Sequence, residues 1–169
     1  MAKNIEIKAL VHDIERVAEI AARLSDSPEE ILHQEDIFFN VPQGRLKLRI
    51  FSDGAGELIF YQRDDLPQPK ASNYFISKVN APHSLREVLS KALGVRGAVR
   101  KKRRLFHIDQ TRVHLDEVDG LGHFVELEVV LRENQSEEDG RKIAQDLMRQ
   151  LEINESDLLS GAYVDMIKT

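Results

Sequence analysis

Charge and hydrophobicity alternate residue by residue along much of this chain, and the alternating charges are sorted by sign. Arg45, Lys47 and Arg49 occupy every second position of one stretch, with Leu46, Leu48 and Ile50 between and after them. Glu126 and Glu128 do the same among Val125, Leu127 and Val129. Side chains two residues apart on a β-strand share a face, so each stretch reads as a strand with one ionic and one apolar side. Glu6 and Lys8 alternate with Ile5 and Ile7, and Arg112, His114 and Asp116 with Val113 and Leu115. The run Arg100 to Arg104 is basic throughout; within it Lys101 and Arg103 are assigned to the ionic face.

The ordinary home of such a face is solvent. Two features argue otherwise. Like charges in a row repel, and a solvent face normally mixes signs or pairs them across strands. Three amphipathic helices also need apolar surface to cover, and helices packed outside a barrel would take its apolar exterior and leave the charges inward.

The strands read as Asn4 to Leu10, His33 to Asn40, Gly44 to Phe51, Glu57 to Arg63, Tyr74 to Val79, Val99 to Ile108, Thr111 to Val118 and His123 to Leu131. Turn residues separate them: Pro42 with Gly44, Ser52-Asp53-Gly54, Pro67 to Pro69, and Gly120 with Gly122. Asp13 is placed to cap a helix carrying Ile14, Val17, Ala18, Ala21 and Leu24. Ser84 and Glu87 have capping-box spacing ahead of Val88, Leu89 and Ala92, and Ser136 precedes a stripe of Ile143, Leu147 and Met148. A short helix is expected near Ser156 to Leu159. The expected class is α+β: one domain over residues 1–169, an eight-stranded antiparallel β-barrel with a charged lumen and amphipathic helices outside. Closure removes sheet edges.

Such an interior is unstable if dry and unpaired. It becomes sensible when wet and built for a counter-ion. Clustered Arg and Lys suit a polyphosphate, and clustered carboxylates suit a hard cation such as Mg²⁺ or Mn²⁺. The chain has no cysteine, so any metal is held by oxygen or imidazole. This fits a reducing compartment, and the cytoplasm is the expected location. The net charge of −5 argues against a nucleic-acid polymer or a membrane surface as partner. The basic rows point to a local anion site. No stretch reads as a secretion signal or a bilayer span. His114 reads as a hydrogen-bonding lumen histidine, Phe38, Phe39 and Phe60 as core, and Tyr61 and Tyr74 as candidate contacts for a substrate's organic end.

These blocks resemble the CYTH domain family, the triphosphate tunnel metalloenzymes, which includes class IV adenylyl cyclases and thiamine triphosphatases. The resemblance lies in Asn4-Ile-Glu6-Ile-Lys8, Gln34 to Phe39, Gly44 to Arg49, Lys101-Lys-Arg103, His114 to Glu128, and Ala162 to Ile167. It implies metal ligation by Glu6, Glu126 and Glu128 with Asp116 near, and the same three glutamates carry catalysis. It implies phosphate contacts from Lys8, Lys47, Arg49, Lys101 and Arg103, joined by Arg45, Arg112 and Arg63. The implied substrate is a small-molecule triphosphate, such as ATP or inorganic triphosphate. The implied activity is a divalent-metal-dependent triphosphatase or a class IV adenylyl cyclase. Asn4 stands where the family carries the first glutamate, which leaves open a non-catalytic polyphosphate- or nucleotide-binding module. A homodimer is also left open.

Overall fold

A computed structural model of the protein describes residues 2–63 and 67–167, with the side chains of Ala2 and Arg63 outside the described part. Eight strands form it: β1 (Ala2–Leu10), β2 (Glu30–Phe39), β3 (Arg45–Phe51), β4 (Gly56–Arg63), β5 (Lys70–Val79), β6 (Val95–Ile108), β7 (Thr111–Val118) and β8 (Gly122–Val130). They close in the order β1-β5-β4-β3-β2-β6-β7-β8, each neighbouring pair antiparallel. The alternation sets the two faces. On β3 the even residues Leu48 and Ile50 are buried under a helix, whereas Lys47 and Arg49 point into the barrel.

The helices cover the apolar exterior. α1 (Ile14–Leu24) lays Ile14, Val17, Ala18, Ile20 and Ala21 on Ile7, Phe106, Val113 and Leu127. Asp13 caps it, accepting from the Arg16 backbone N–H at 3.1 Å. α3 (Glu137–Gln150) packs beside β1 and β8 through Ala144, Leu147 and Met148. Ser136 and Asp139 cap it reciprocally. A Cβ on Gly140 would lie 2.5 Å from Ile5 and 2.6 Å from Leu131, so only glycine permits this approach.

α2 (Pro82–Leu93) covers β2 and β3 through Leu85 and Leu89. The expected Ser84–Glu87 capping box does not form. The helix begins earlier, at Pro82, whose ring carries no N–H to satisfy at this position. Ser84 therefore lies inside the first turn, where its hydroxyl donates back to the Ala81 carbonyl, and Glu87 pairs with Lys91. The expected short helix after α3 is a 3₁₀ turn at Glu155–Asp157. Three strands start well before the position their alternation suggested: β2 at Glu30, β5 at Lys70 and β6 at Val95.

A last helix, α4 (Tyr163–Met166), seals one end of the barrel. Ala162, Tyr163 and Val164 pack there with the inward-facing Phe38, Ile59, Tyr61, Val99, Val118 and Phe124. Gly97 on β6 makes room, since a Cβ there would sit 2.6 Å from Val164. The lumen is thus a one-ended pocket, apolar at its closed end and charged above it. Among the described residues, no helix is long and apolar enough to cross a membrane.

Candidate functional site

The charges that alternate along the sequence line this pocket. Glu6 and Lys8 enter from β1, Lys47 and Arg49 from β3, Lys101 and Arg103 from β6, Arg112 and His114 from β7, and Glu126 and Glu128 from β8. The assignment of Lys101 and Arg103 to the inner face holds. Both are buried, whereas Arg104 turns outward to Glu29 and Glu15.

One carboxylate organises the basic side. Asp36 on β2 accepts from Arg49 Nε and Nη2, both at 2.8 Å, from Lys101 Nζ at 3.0 Å and from Lys47 Nζ at 3.3 Å. The register explains this, because Asp36 lies directly across from Arg49 and one step from the pair Gln34–Lys101. Burial alone would push the Asp36 carboxyl up, but Arg49, Lys101 and Lys47 outweigh it and hold it well below the usual range.

Burial, with Arg49 beside it, brings Lys47 down to about 7 against the pull of Asp36. The unfolded chain, whose lysine titrates near 10.5, therefore binds more protons than the folded one between these two values. Stability attributable to Lys47 rises with pH through that window. Replacing Lys47 with methionine is expected to flatten the slope, as read from urea midpoints at successive pH values above about 7. An unaltered slope would contradict it. In the folded protein near neutrality Lys47 is therefore partly the neutral amine, which takes up a proton when an anion arrives.

A second buried pair lies at the centre. Asp116 accepts from Arg103 Nε and Nη2 at 2.7 Å each and from the Tyr163 hydroxyl at 2.8 Å. Arg103 also comes within 3.5 Å of Glu126. Lys8 Nζ donates to the Gly161 carbonyl at 3.0 Å, lies 4.0 Å above the Tyr163 ring and is 3.7 Å from Glu126. The C-terminal segment thus holds two of the pocket's cations as well as closing it.

The acidic side is β1 with β8. Glu6 lies directly across from Glu128, and Lys8 from Glu126. Glu128 accepts from Asn4 Nδ2 at 2.9 Å and is bound by Arg112. Burial opposes ionisation of Glu126, but Lys8 and Arg103 hold it well below the usual range. His114 Nδ1 is 4.0 Å from Glu126 Oε2, too far for a hydrogen bond, and has no hydrogen-bond partner. Burial, then Arg103, pushes this imidazole towards its neutral form. His114 is in the lumen as expected.

Two expectations about individual residues change, and a third falls outside the described residues. Arg45 shares the strand face of Lys47 but reaches the closed end, where it binds Asp165 of α4 at 2.8 Å beside Arg96. Asp116 does not stand open to a metal, because both its oxygens are taken by Arg103 and Tyr163. The side chain of Arg63 lies outside the described residues. Phe38 lines the pocket's closed end, Phe39 belongs to the core under α2, and Phe60 stacks outside on Phe75 at 6.4 Å. Tyr61 and Tyr74 both line the pocket.

The structure adds members that alternation did not single out. Asp36 is one. Lys70 is another: it is buried on the inward parity of β5, directly across from Glu6. Its signal was hidden by Pro67 and Pro69, which made this stretch read as loop. Tyr163 is a third, visible beforehand only as part of the C-terminal block.

Among the described residues, no three His, Asp or Glu side chains stand in a ready-made metal cluster. The donor set nevertheless fits a hard cation by its chemistry. Glu6, Glu126 and Glu128 are oxygen donors on adjoining strands, and two of them face each other in register as like charges.

The CYTH domain profile matches residues 2–163. A Methanocaldococcus jannaschii protein whose name proposes adenylate cyclase activity is 22% identical over 171 residues, covering 96% of this chain and 97% of its own. A Pyrococcus horikoshii structure superposes with a TM-score of 0.86 at 25% identity, over 98% of this chain and 99% of the other. A Hippeastrum protein, described as a proposed adenylyl cyclase with a dominant triphosphatase activity, shares the fold at a TM-score of 0.65 and 13% identity, over 96% of this chain and 91% of its own.

Proposed function

The chain belongs to the CYTH domain family, and on that premise we propose that it binds a small-molecule triphosphate in the barrel and promotes attack at one of its phosphorus atoms. The observation that carries this reading is the Asp36 cluster. One carboxylate there answers three cations, Lys47, Arg49 and Lys101, inside a pocket that opens to solvent at one end. A buried excess of positive charge is costly unless an anion completes it. A phosphate chain supplies both charge and several acceptor oxygens, and Arg is the side chain best shaped to meet them.

Mg²⁺ or Mn²⁺ would be held by Glu6, Glu126 and Glu128, where it would supply charge neutralisation and polarisation at a phosphoryl oxygen. The residues around them do the positioning. Asn4 and Arg112 fix Glu128, while Lys8 and Arg103 flank Glu126. The names of the relatives point to two outcomes of one chemistry. Water as nucleophile releases orthophosphate; the ribose 3′-hydroxyl of ATP releases pyrophosphate and closes a cyclic nucleotide. Incubation with inorganic tripolyphosphate, ATP and thiamine triphosphate in Mg²⁺ or Mn²⁺, with orthophosphate, pyrophosphate and cyclic AMP all quantified, is expected to yield at least one of these products. Turnover is expected to fall by about 10²-fold or more in Glu126→Gln. No product from any substrate in either metal would reject the enzymatic reading.

A further inference from the structure

We propose that the outer wall of the barrel carries a second anion site, a groove between β2, β6 and α2 that takes a small phosphoryl anion such as pyrophosphate. It is separate from the lumen and does not depend on what the lumen turns over.

The basic run Arg100 to Arg104 supplies two rows, and the pocket uses only the inner one, Lys101 and Arg103. The outer row is Arg100, Lys102 and Arg104. Arg104 is answered by Glu29 and Glu15. Arg100 shares Glu35 of β2 with Arg86 of α2, each guanidinium donating to its own carboxylate oxygen at 2.5 Å. Lys102 is left over: its ammonium has no hydrogen-bond or ion-pair partner among the described residues. Glu117, directly across from it on β7, lies 3.9 Å from His123 instead. On its other side Lys102 faces His33 of β2.

Exposed cations are ordinarily a solvated face. These converge on a concavity. A groove of about 650 Å³, ample for pyrophosphate, is bordered by His33, Glu35, His83, Arg86, Arg100, Lys102 and Asp119. Lys101 also borders it, but its ammonium is turned inward to Asp36. Three permanent cations, Arg86, Arg100 and Lys102, therefore meet two carboxylates, a positive balance before either histidine takes a proton. Arg86 and Arg100 each donate one N–H to Glu35 and have others to give. A tetrahedral phosphoryl group presents acceptor oxygens on several sides, which suits donors arriving from a helix and a strand at once. A cation is the poorer fit, because among the described residues no three His, Asp or Glu side chains gather as a metal cluster.

Histidine NMR separates this site from the lumen, because His33 and His83 border the groove and His114 the pocket. The imidazole Cε1–H signals, assigned through His33→Gln and His83→Gln, are followed in EDTA while pyrophosphate replaces chloride at constant ionic strength and pH. The His33 and His83 signals are expected to move along one saturating curve with a Kd of about 1 mM or tighter. Arg100→Gln combined with Lys102→Gln is expected to weaken that curve about tenfold, since two charge-assisted contacts are lost, and to leave the His114 curve in place. Lys47→Met is expected to do the opposite. The curve that stays put shows in each case that the barrel is intact. Unmoved His33 and His83 signals would overturn the proposal, as would shifts that never saturate or that survive the double substitution. So would groove signals that follow the His114 curve and weaken in Lys47→Met, because the anion would then sit in the lumen alone.

Discussion

Asp36→Ala is expected to lower the thermal midpoint by roughly 6–20 °C, the range that ~3–5 kcal/mol corresponds to in a domain of this size. Asp36 is only 1% exposed and is the shared acceptor for Arg49, Lys47 and Lys101. Removing it leaves Arg49, Lys101 and Lys47 on one wall with no common counter-charge, and losing one partner of a buried ion pair is the expensive case. The same variant should respond more strongly to an anion. In the wild type an incoming phosphate chain must share its cations with Asp36, whereas in the variant it replaces the missing carboxylate. Added tripolyphosphate is therefore expected to raise the midpoint of Asp36→Ala by more degrees than that of the wild type. Differential scanning fluorimetry with and without tripolyphosphate measures both effects. A variant as stable as the wild type, or one stabilised less by the anion, would contradict the role given to Asp36.

The barrel was legible because its strands obey a strict two-residue period. β3 and β8 announce their inner faces by charge and their outer faces by Leu, Ile and Val, and the register Glu6–Glu128 and Lys8–Glu126 follows once the strands are antiparallel neighbours. β6 was ambiguous for a physical reason: both of its faces are basic. What separates them is the partner each face meets, Asp36 and Asp116 within and Glu29 and Glu15 without. Partners come from distant strands and from α4, so the period of one strand does not contain them. The same limit explains Arg45 and Asp116. Both sit at the right parity, but Arg45 is drawn to Asp165, 120 residues away, and Asp116 is saturated by Arg103 and Tyr163.

Other misreadings were local. Prolines 67 and 69 made the start of β5 look like a turn, which concealed Lys70 and Ser72 on the lumen wall. Pro82 began α2 two residues before the serine that seemed to cap it. The open rim was illegible for another reason. Leu32, Phe51, Glu57 and Ile76 lie on four different strands, and none is marked by its own strand until barrel closure brings them to one rim.

Arg103→Ala is expected to cost about 3–5 kcal/mol of stability, and the loss is expected to shrink on acidification. Arg103 makes two 2.7 Å bonds to Asp116, whose exposure is 0%. With the guanidinium present, Arg103 overrides burial and keeps the Asp116 carboxyl below its ordinary value, so its stabilising contribution is lost as pH falls through that low pKa. Without it, burial acts against weaker opposition and the pKa of Asp116 rises above its unfolded value. The sign of the linkage then reverses. Between the raised pKa and the unfolded one, the folded variant binds more protons than the unfolded chain, so its stability from this group increases as pH falls. The gap between wild type and variant should therefore narrow below neutrality. Neutralising the carboxylate by substitution should act likewise: Arg103→Ala combined with Asp116→Asn is expected to be more stable at pH ~8 than Arg103→Ala alone, by about 1–3 kcal/mol. Tyr163 supports the outcome, since its hydroxyl can still bond to an asparagine oxygen at the position that now accepts at 2.8 Å. Guanidinium unfolding of the four proteins of this cycle across pH gives the coupling directly. A deficit in Arg103→Ala that is constant with pH and unrelieved by Asp116→Asn would mean that the pair is not a buried charge balance. The central wall of the pocket would then owe its shape to packing alone.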